Sequence, residues 1–247
     1  MIDEMKLYRG QDIHITDQII IKQPTLGQIC DFGQNEYLGF VNTFTATHMD
    51  ENMIVLLSDA GLDFNNISDW ELFILIYKSL GECSELLFDN LNFNDFIIDS
   101  KDEHLILKNG RGTIIDETIY KIIVEYLRKM NNISAPKFTR VKDDAIQKQM
   151  AIEDAKRQVE SMRRKTRLGL NESSPLLPYI SYLVNKSGFK HDEVSIFDMK
   201  IYPFWDSVKR LIAIDTSEHL YHGLYSGCLD LKKNPSLNKE MDVLRKL

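Results

Sequence analysis

From Glu117 to Met130 the apolar residues Ile119, Ile122, Ile123, Tyr126 and Leu127 recur at helical spacing, and Asp116 stands where it can cap the first turn. This is the clearest amphipathic helix in the chain, and that stripe is its expected buried face. A second strong pattern begins at Ser68, where Ser68-Asp69-Trp70-Glu71 has the form of a capping box. Trp70, Leu72, Phe73, Leu75, Ile76 and Leu80 then make a helix apolar nearly all round, which predicts burial. Thr25 with Gln28 is a third capping signal; it opens a short helix through Leu26, Ile29, Cys30 and Phe32 that Gly33 stops. Between these lie two further short helices within 35–57, broken near 45–50. Gly61 and the Asp63–Asn66 cluster mark a turn.

Strand signals are fewer. Ile13, Ile15, Ile19, Ile20 and Ile21 lie between Gly10 and Pro24, and β-branched residues between breakers predict one or two short strands. The triplets Phe96–Ile98 and Leu105–Leu107 flank a polar turn, and Ile114 and Ile115 follow Asn109-Gly110-Arg111-Gly112. Asn-Gly between apolar runs predicts a small β-hairpin near 96–115. Beyond 176 the pattern is helical again. Leu177, Ile180, Leu183 and Val184 share a face, Gly188 marks a turn, and Ser195 opens a short capped segment. Pro203 sits at a helix start, followed by Phe204, Val208, Leu211 and Ile212, with Leu220, Leu224 and Tyr225 continuing to Gly227. The expected fold class is mainly α with a minor β component, an α+β chain.

One stretch breaks the pattern. Residues 137–167 hold almost no large apolar side chains after Phe138 and Val141, and carry ten Lys or Arg against five Asp or Glu. The remainder then holds twenty basic against thirty-two acidic residues. Such a stretch predicts an exposed helix or a partly ordered linker. It suggests three parts: an α+β region 1–133, a charged helix or linker 134–175, and a helical region 176–247. The cluster Arg163, Arg164, Lys165 and Arg167, with Arg157, is the sharpest local feature and a candidate partner-binding surface. A solvated charged helix is the plain alternative.

Composition narrows the classes. With 247 residues, 43% hydrophobic and 27% charged, the chain can bury a sizeable core. The net charge of −7 argues against general nucleic-acid binding, and no aromatic residues interleave the basic cluster to stack bases. The opening Met1–Arg9 lacks the apolar core of a signal peptide, and no apolar run approaches the ~20 residues a membrane helix needs. A cytoplasmic protein with no membrane contact is expected.

Candidate chemistry is sparse. Cys30, Cys83 and Cys228 form no CxxC pair and are expected to be free thiols. Cys83 stands among Glu82 and Glu85, which push a thiol away from nucleophilic character. His219 and His222 stand three apart on a helix beside Glu218, without a third ligand nearby or an HExxH pattern, so an exposed pair is expected. His14, His48, His104 and His191 lie in polar contexts that predict solvation. Gly110-Arg111-Gly112 lacks the rest of a phosphate loop. No catalytic residue, metal site or cofactor is expected.

Several stretches resemble phage structural-module proteins. Ile21-Lys22-Gln23-Pro24-Thr25-Leu26-Gly27-Gln28-Ile29-Cys30-Asp31-Phe32-Gly33 runs from a strand into a Pro-Thr helix start. It resembles the opening of tail assembly chaperones of Gram-positive siphophages and myophages. Asp59–Asp63 with Ile67–Phe73, Ile119–Lys129, Phe204–Arg210 and Tyr225–Gly227 resemble proteins of clostridial and other Firmicutes phages and prophages. The likeness spans the chain loosely; the hairpin and the basic stretch depart from the simpler, usually shorter family pattern. It implies binding to the tape measure protein and tail tube subunits in the host cytoplasm, without cofactor or catalytic residue. The alternative is a structural virion subunit of the tail, connector or baseplate.

Overall fold

A computed structural model describes residues 3–80, 84–89, 91–101, 104–134, 144–167 and 174–245, with the side chains of 101, 144–148, 151 and 165 excepted. The chain is mainly helical with two small antiparallel sheets. It opens with α1 (Glu4–Tyr8), whose cap Asp3 accepts from the backbone N–H groups of Met5 and Lys6. The isoleucine-rich stretch forms a two-stranded ribbon, β1 (Ile13–His14) and β2 (Ile20–Ile21), pairing Ile13 with Ile21. Next come α2 (Leu26–Phe32), α3 (Gln34–Phe44) and α4 (Glu51–Asp59). The Thr25/Gln28 capping box starts α2 as expected: Thr25 N–H donates to Gln28 at 2.8 Å while the Thr25 hydroxyl accepts from Gln28 N–H at 3.2 Å.

The Ser68/Glu71 box likewise starts α5 (Asp69–Ile76). Glu71 accepts from the Ser68 N–H and hydroxyl, and these bonds hold its carboxyl below the usual range. Trp70, Leu72, Phe73 and Ile74 are buried, but Leu75 is exposed, because this two-turn helix is covered on most sides and not all. After the short α6 (Ser84–Leu87), strands β3 (Phe96–Lys101), β4 (His104–Asn109) and β5 (Ile114–Ile115) make a three-stranded meander. The predicted hairpin is thus two consecutive hairpins. In the second, the Asn109 carboxamide oxygen accepts from Arg111 N–H at 3.1 Å and Thr113 N–H at 2.9 Å. Gly112, at φ 83°, takes the left-handed turn that a side chain would strain.

Helix α7 (Glu117–Met130) has the boundaries its pattern predicts, capped by Asp116. Its buried face is Tyr120, Ile123, Val124, Leu127 and Met130, rotated from the predicted stripe; Ile122 falls at the exposed edge. Then follow α8 (Asp144–Arg167), α9 (Leu177–Val184), α10 (Ile201–Tyr225) and α11 (Leu237–Met241). Proline in the first turn of α10 needs no N–H partner, and the helix runs unbroken for 25 residues. On α9, Ile180 and Leu183 are buried while Leu177 is exposed, its place in the core taken by Leu176.

The buried cluster crosses the sequence boundaries drawn at 134 and 175. Leu176, Ile180, Leu183, Ile196, Ile201, Phe204 and Val208 belong to the same core as Leu7, Ile29, Phe44, Phe73, Phe88 and Tyr120. Backbone bonds stitch the two regions together: Leu26 N–H donates to Met199 O at 2.9 Å, and Ile201 N–H to Pro24 O at 3.1 Å. On the other side, Lys22 N–H donates to Leu87 O at 2.8 Å, so the segment leading into α2 lies between 87–89 and 199–201. Tyr37 hydroxyl donates to Asn131 at 2.6 Å, tying α3 to the end of α7.

A polar latch joins α9 to α10. Tyr182 hydroxyl donates to Asp215 at 2.8 Å, and Lys186 Nζ bonds the other carboxylate oxygen. The Lys186 and Tyr182 hydrogen bonds hold Asp215 below the usual carboxylate range; burial and Asp215 push Tyr182 up to about 12. The depressed carboxylate stabilises the fold fully above its unfolded value of about 4 and loses that share as pH falls through the folded value. The raised tyrosine does so below about 10 and loses it as pH climbs toward its folded value. Asp215→Asn is therefore expected to cost about 1 kcal/mol in denaturant titrations across that plateau, with the gap to the parent closing below about pH 4. A gap unchanged down to acid unfolding would refute the latch.

Candidate functional site

Helix α8 is rich in Ala, Gln, Glu, Lys, Arg and Met, all strong helix formers, so it needs little core contact to hold its shape. Its 24 residues span roughly 36 Å. The charged stretch is therefore a helix from 144 onward; 137–143 lie outside the described residues. One narrow edge docks. Ile152 and Ala155 pack into a second, smaller core made by Ala46, Ile54, Leu57, Phe64 and Leu72. Lys156 reaches Asp59 at the end of α4 at 3.5 Å.

One turn further on, Val159 faces Val55 of α4 across a hollow of about 480 Å³. Its remaining lining is Asp59, Lys156, Glu160, Arg163, Arg164 and Arg167. Two valines are its apolar lining, and four cationic side chains there outnumber the carboxylates of Asp59 and Glu160. Arg163, Arg164 and Arg167 are exposed and make no ion pair among the described residues. Their position at the helix C-terminus also complements the helix dipole, a structural reason for three cations there.

The five sequence candidates separate. Arg163, Arg164 and Arg167 share the rim of the hollow. Arg157 does not line it; it pairs within its own helix with Glu153 at 3.6 Å and Asp154 at 3.3 Å. Lys165 has a side chain outside the described residues. Val55 and Asp59, which complete the hollow, come from α4 about a hundred positions earlier and carry no signal in the sequence.

The other candidates take ordinary places. His219 and His222 are exposed on α10, and among the described residues no group of three or more His, Cys, Asp or Glu could hold a metal ion. Cys30 is half-buried, and burial pushes its thiol up; Cys228 is exposed, and Cys83 lies outside the described residues. His48 corrects its expectation. Rather than being merely solvated, it is half-buried against α5, with Nδ1 2.7 Å and its backbone N–H 3.0 Å from the Asp69 carboxylate. No described helix is long and apolar enough to cross a membrane. No family model, curated protein or solved structure matches the chain.

Proposed function

We propose that the chain is a phage tail assembly chaperone, a morphogenesis factor that works by binding other proteins and not by catalysis. The observation that carries this reading is the α4/α8 hollow, lined by two valines and by three arginines that form no ion pair within the described residues. Arginine forks suit carboxylates, and apolar side chains beside them suit a protein partner better than a nucleic acid, whose phosphates need no such contact. The resemblance of Ile21–Gly33 and of the stretches at 59–73, 119–129 and 204–210 to phage proteins supplies the biological setting. In it the partner is the tape measure protein or the tail tube subunit, held in the host cytoplasm until the tail polymerises.

The test is co-expression with the tape measure protein, and capture from infected cells beside mass spectrometry of purified virions. The chaperone is expected to be abundant in lysate with a tail protein attached and missing from virions. Recovery from virions at fixed copy number would make it a structural subunit instead, and failure to co-purify would count against both partner assignments.

A further inference from the structure

The three-stranded sheet has one long open edge. Its strand order is β3-β4-β5, so its edges are β3, of six residues, and β5, of two. β3 pairs with β4 without a break from Phe96↔Asn109 to Lys101↔His104. Asn109 turns its backbone groups toward the β5 side: its N–H donates to Thr113 O at 3.1 Å and its C=O accepts from Gly112 N–H at 3.1 Å. Phe96, opposite it, therefore makes no ladder bond to it, and the backbone groups of Phe96 face outward. Phe96 O accordingly accepts from the Tyr77 hydroxyl at 3.1 Å and from Lys78 Nζ at 2.8 Å, neither of which belongs to the sheet. Backbone direction alternates along a strand, so Ile97 and Asp99 face β4 while Ile98 and Ser100 face out. Ile98 N–H and C=O meet no partner among the described residues. Ser100 N–H meets only the carboxylate of its neighbour Asp99, at 2.8 Å.

The side chains along this edge are not those of a solvated strand. Ile97 and Ile98 are 64% and 51% exposed, one on each face of the sheet. Leu105, paired with Ser100 on the face of Ile98, is exposed as well. From Phe96 to Ser100 there is no proline, bulge or lysine, devices that keep a sheet edge from pairing. Unmet backbone groups between exposed isoleucines fit another strand, and the charges select a second copy of this one. Asp95 precedes the strand and Lys101 ends it, so an antiparallel copy sets unlike charges together at both ends. A two-fold axis then makes every contact occur twice. The register follows from the same residues. An axis at Asp99 would oppose two carboxylates, and an axis at Ser100 would run the pairing past the end of the strand. An axis at Ile98 lets the two Ile98 residues exchange N–H to C=O bonds and sets Phe96 of each copy against Ser100 of the other.

We infer that the outer edge of β3 is a self-association surface, on which a second copy of the chain pairs antiparallel about Ile98 and extends the sheet to six strands. It uses none of the residues that line the α4/α8 hollow and does not rest on the chaperone reading.

Sedimentation velocity of the full chain at about 1 μM and about 300 μM tests the association, since small interfaces dissociate in that range. Amide hydrogen exchange at the same two concentrations, read residue by residue by mass spectrometry, tests its place. A monomer–dimer equilibrium is expected. The Ile98 amide should exchange at least about tenfold more slowly in the dimer, the ratio that ~1.4 kcal/mol gives. The Ile97 and Asp99 amides, which face β4, should be slow at both concentrations and serve as the control. Ile98→Pro removes only an N–H that points away from β4, a place where an edge strand tolerates proline. It is expected to hold the chain monomeric at the higher concentration with its far-ultraviolet circular dichroism unchanged. Ile98→Lys serves the same purpose if the proline variant does not fold. A parent that stays monomeric at the higher concentration overturns the inference. So does an Ile98 amide that exchanges equally fast at both, or a dimer that survives both substitutions.

Discussion

Phe44→Ala is expected to lower stability by about 4 kcal/mol, near the upper end of what a single core truncation costs. Phe44 is fully buried at the centre of an aromatic cluster. Its ring lies 4.7 Å from Phe73, 5.4 Å from Phe93 and 5.8 Å from Phe88, and 6.0 Å from both Phe40 and Tyr120. These partners come from α3, α5, α7 and the segment between α6 and β3, so no single element can move in to fill the void. Rings held by several rigid elements relax little, and the cavity cost adds to the lost transfer energy. Leu75→Ala, on α5 but exposed, is expected to change stability by less than about 0.5 kcal/mol. Urea titration followed by far-ultraviolet circular dichroism measures both. Because Leu176, Phe204 and Val208 share the core with Phe44, tryptophan fluorescence should report the same single transition. Two separate transitions in the Phe44→Ala variant would show that the region beyond 176 stands on a core of its own.

What the sequence conveyed is local. The capping boxes at Thr25 and Ser68 and the cap at Asp116 lie where residue type alone placed them, because each is made by groups three residues apart. The limits of α7 followed from its caps and periodicity, but its orientation did not. Ile119, Ile122, Ile123, Tyr126 and Leu127 form one stripe, whereas Tyr120, Val124 and Met130 widen the apolar arc, and the core presses on the middle of that wider arc. Whether Ile122 is inside depends on what α3 and α5 bring against the helix. His48 failed for the same reason: its partner Asp69 is 21 residues away. Likewise the joining of 24–26 to 199–201 is a pairing of short irregular segments with no periodicity to announce it.

The arginine cluster was legible as charge, but its division was not, and that division makes a test. On the proposed function, Arg163, Arg164 and Arg167 changed together to Glu are expected to reduce capture of the tape measure protein about a hundredfold, from roughly 1 kcal/mol for each exposed ion pair removed. Arg157→Glu is expected to change it less than about twofold, because Arg157 is already paired with Glu153 and Asp154 and stands away from the hollow. A general electrostatic attraction between a basic helix and an acidic partner would treat the four arginines alike, with each reversal weakening capture in proportion to charge. A docking site on the α4/α8 rim separates three from one. Val55→Glu is the complementary change: it leaves every arginine in place and replaces an apolar lining residue of the hollow with a carboxylate. Added salt should weaken the parent complex, since exposed charges are screened beyond about 8 Å at physiological ionic strength. The Val55→Glu variant should lose capture even at low salt, where screening cannot be the cause. If Arg157→Glu weakens capture as much as reversal of any one of the three rim arginines alone, the hollow is not the docking site and the helix acts only as a band of charge.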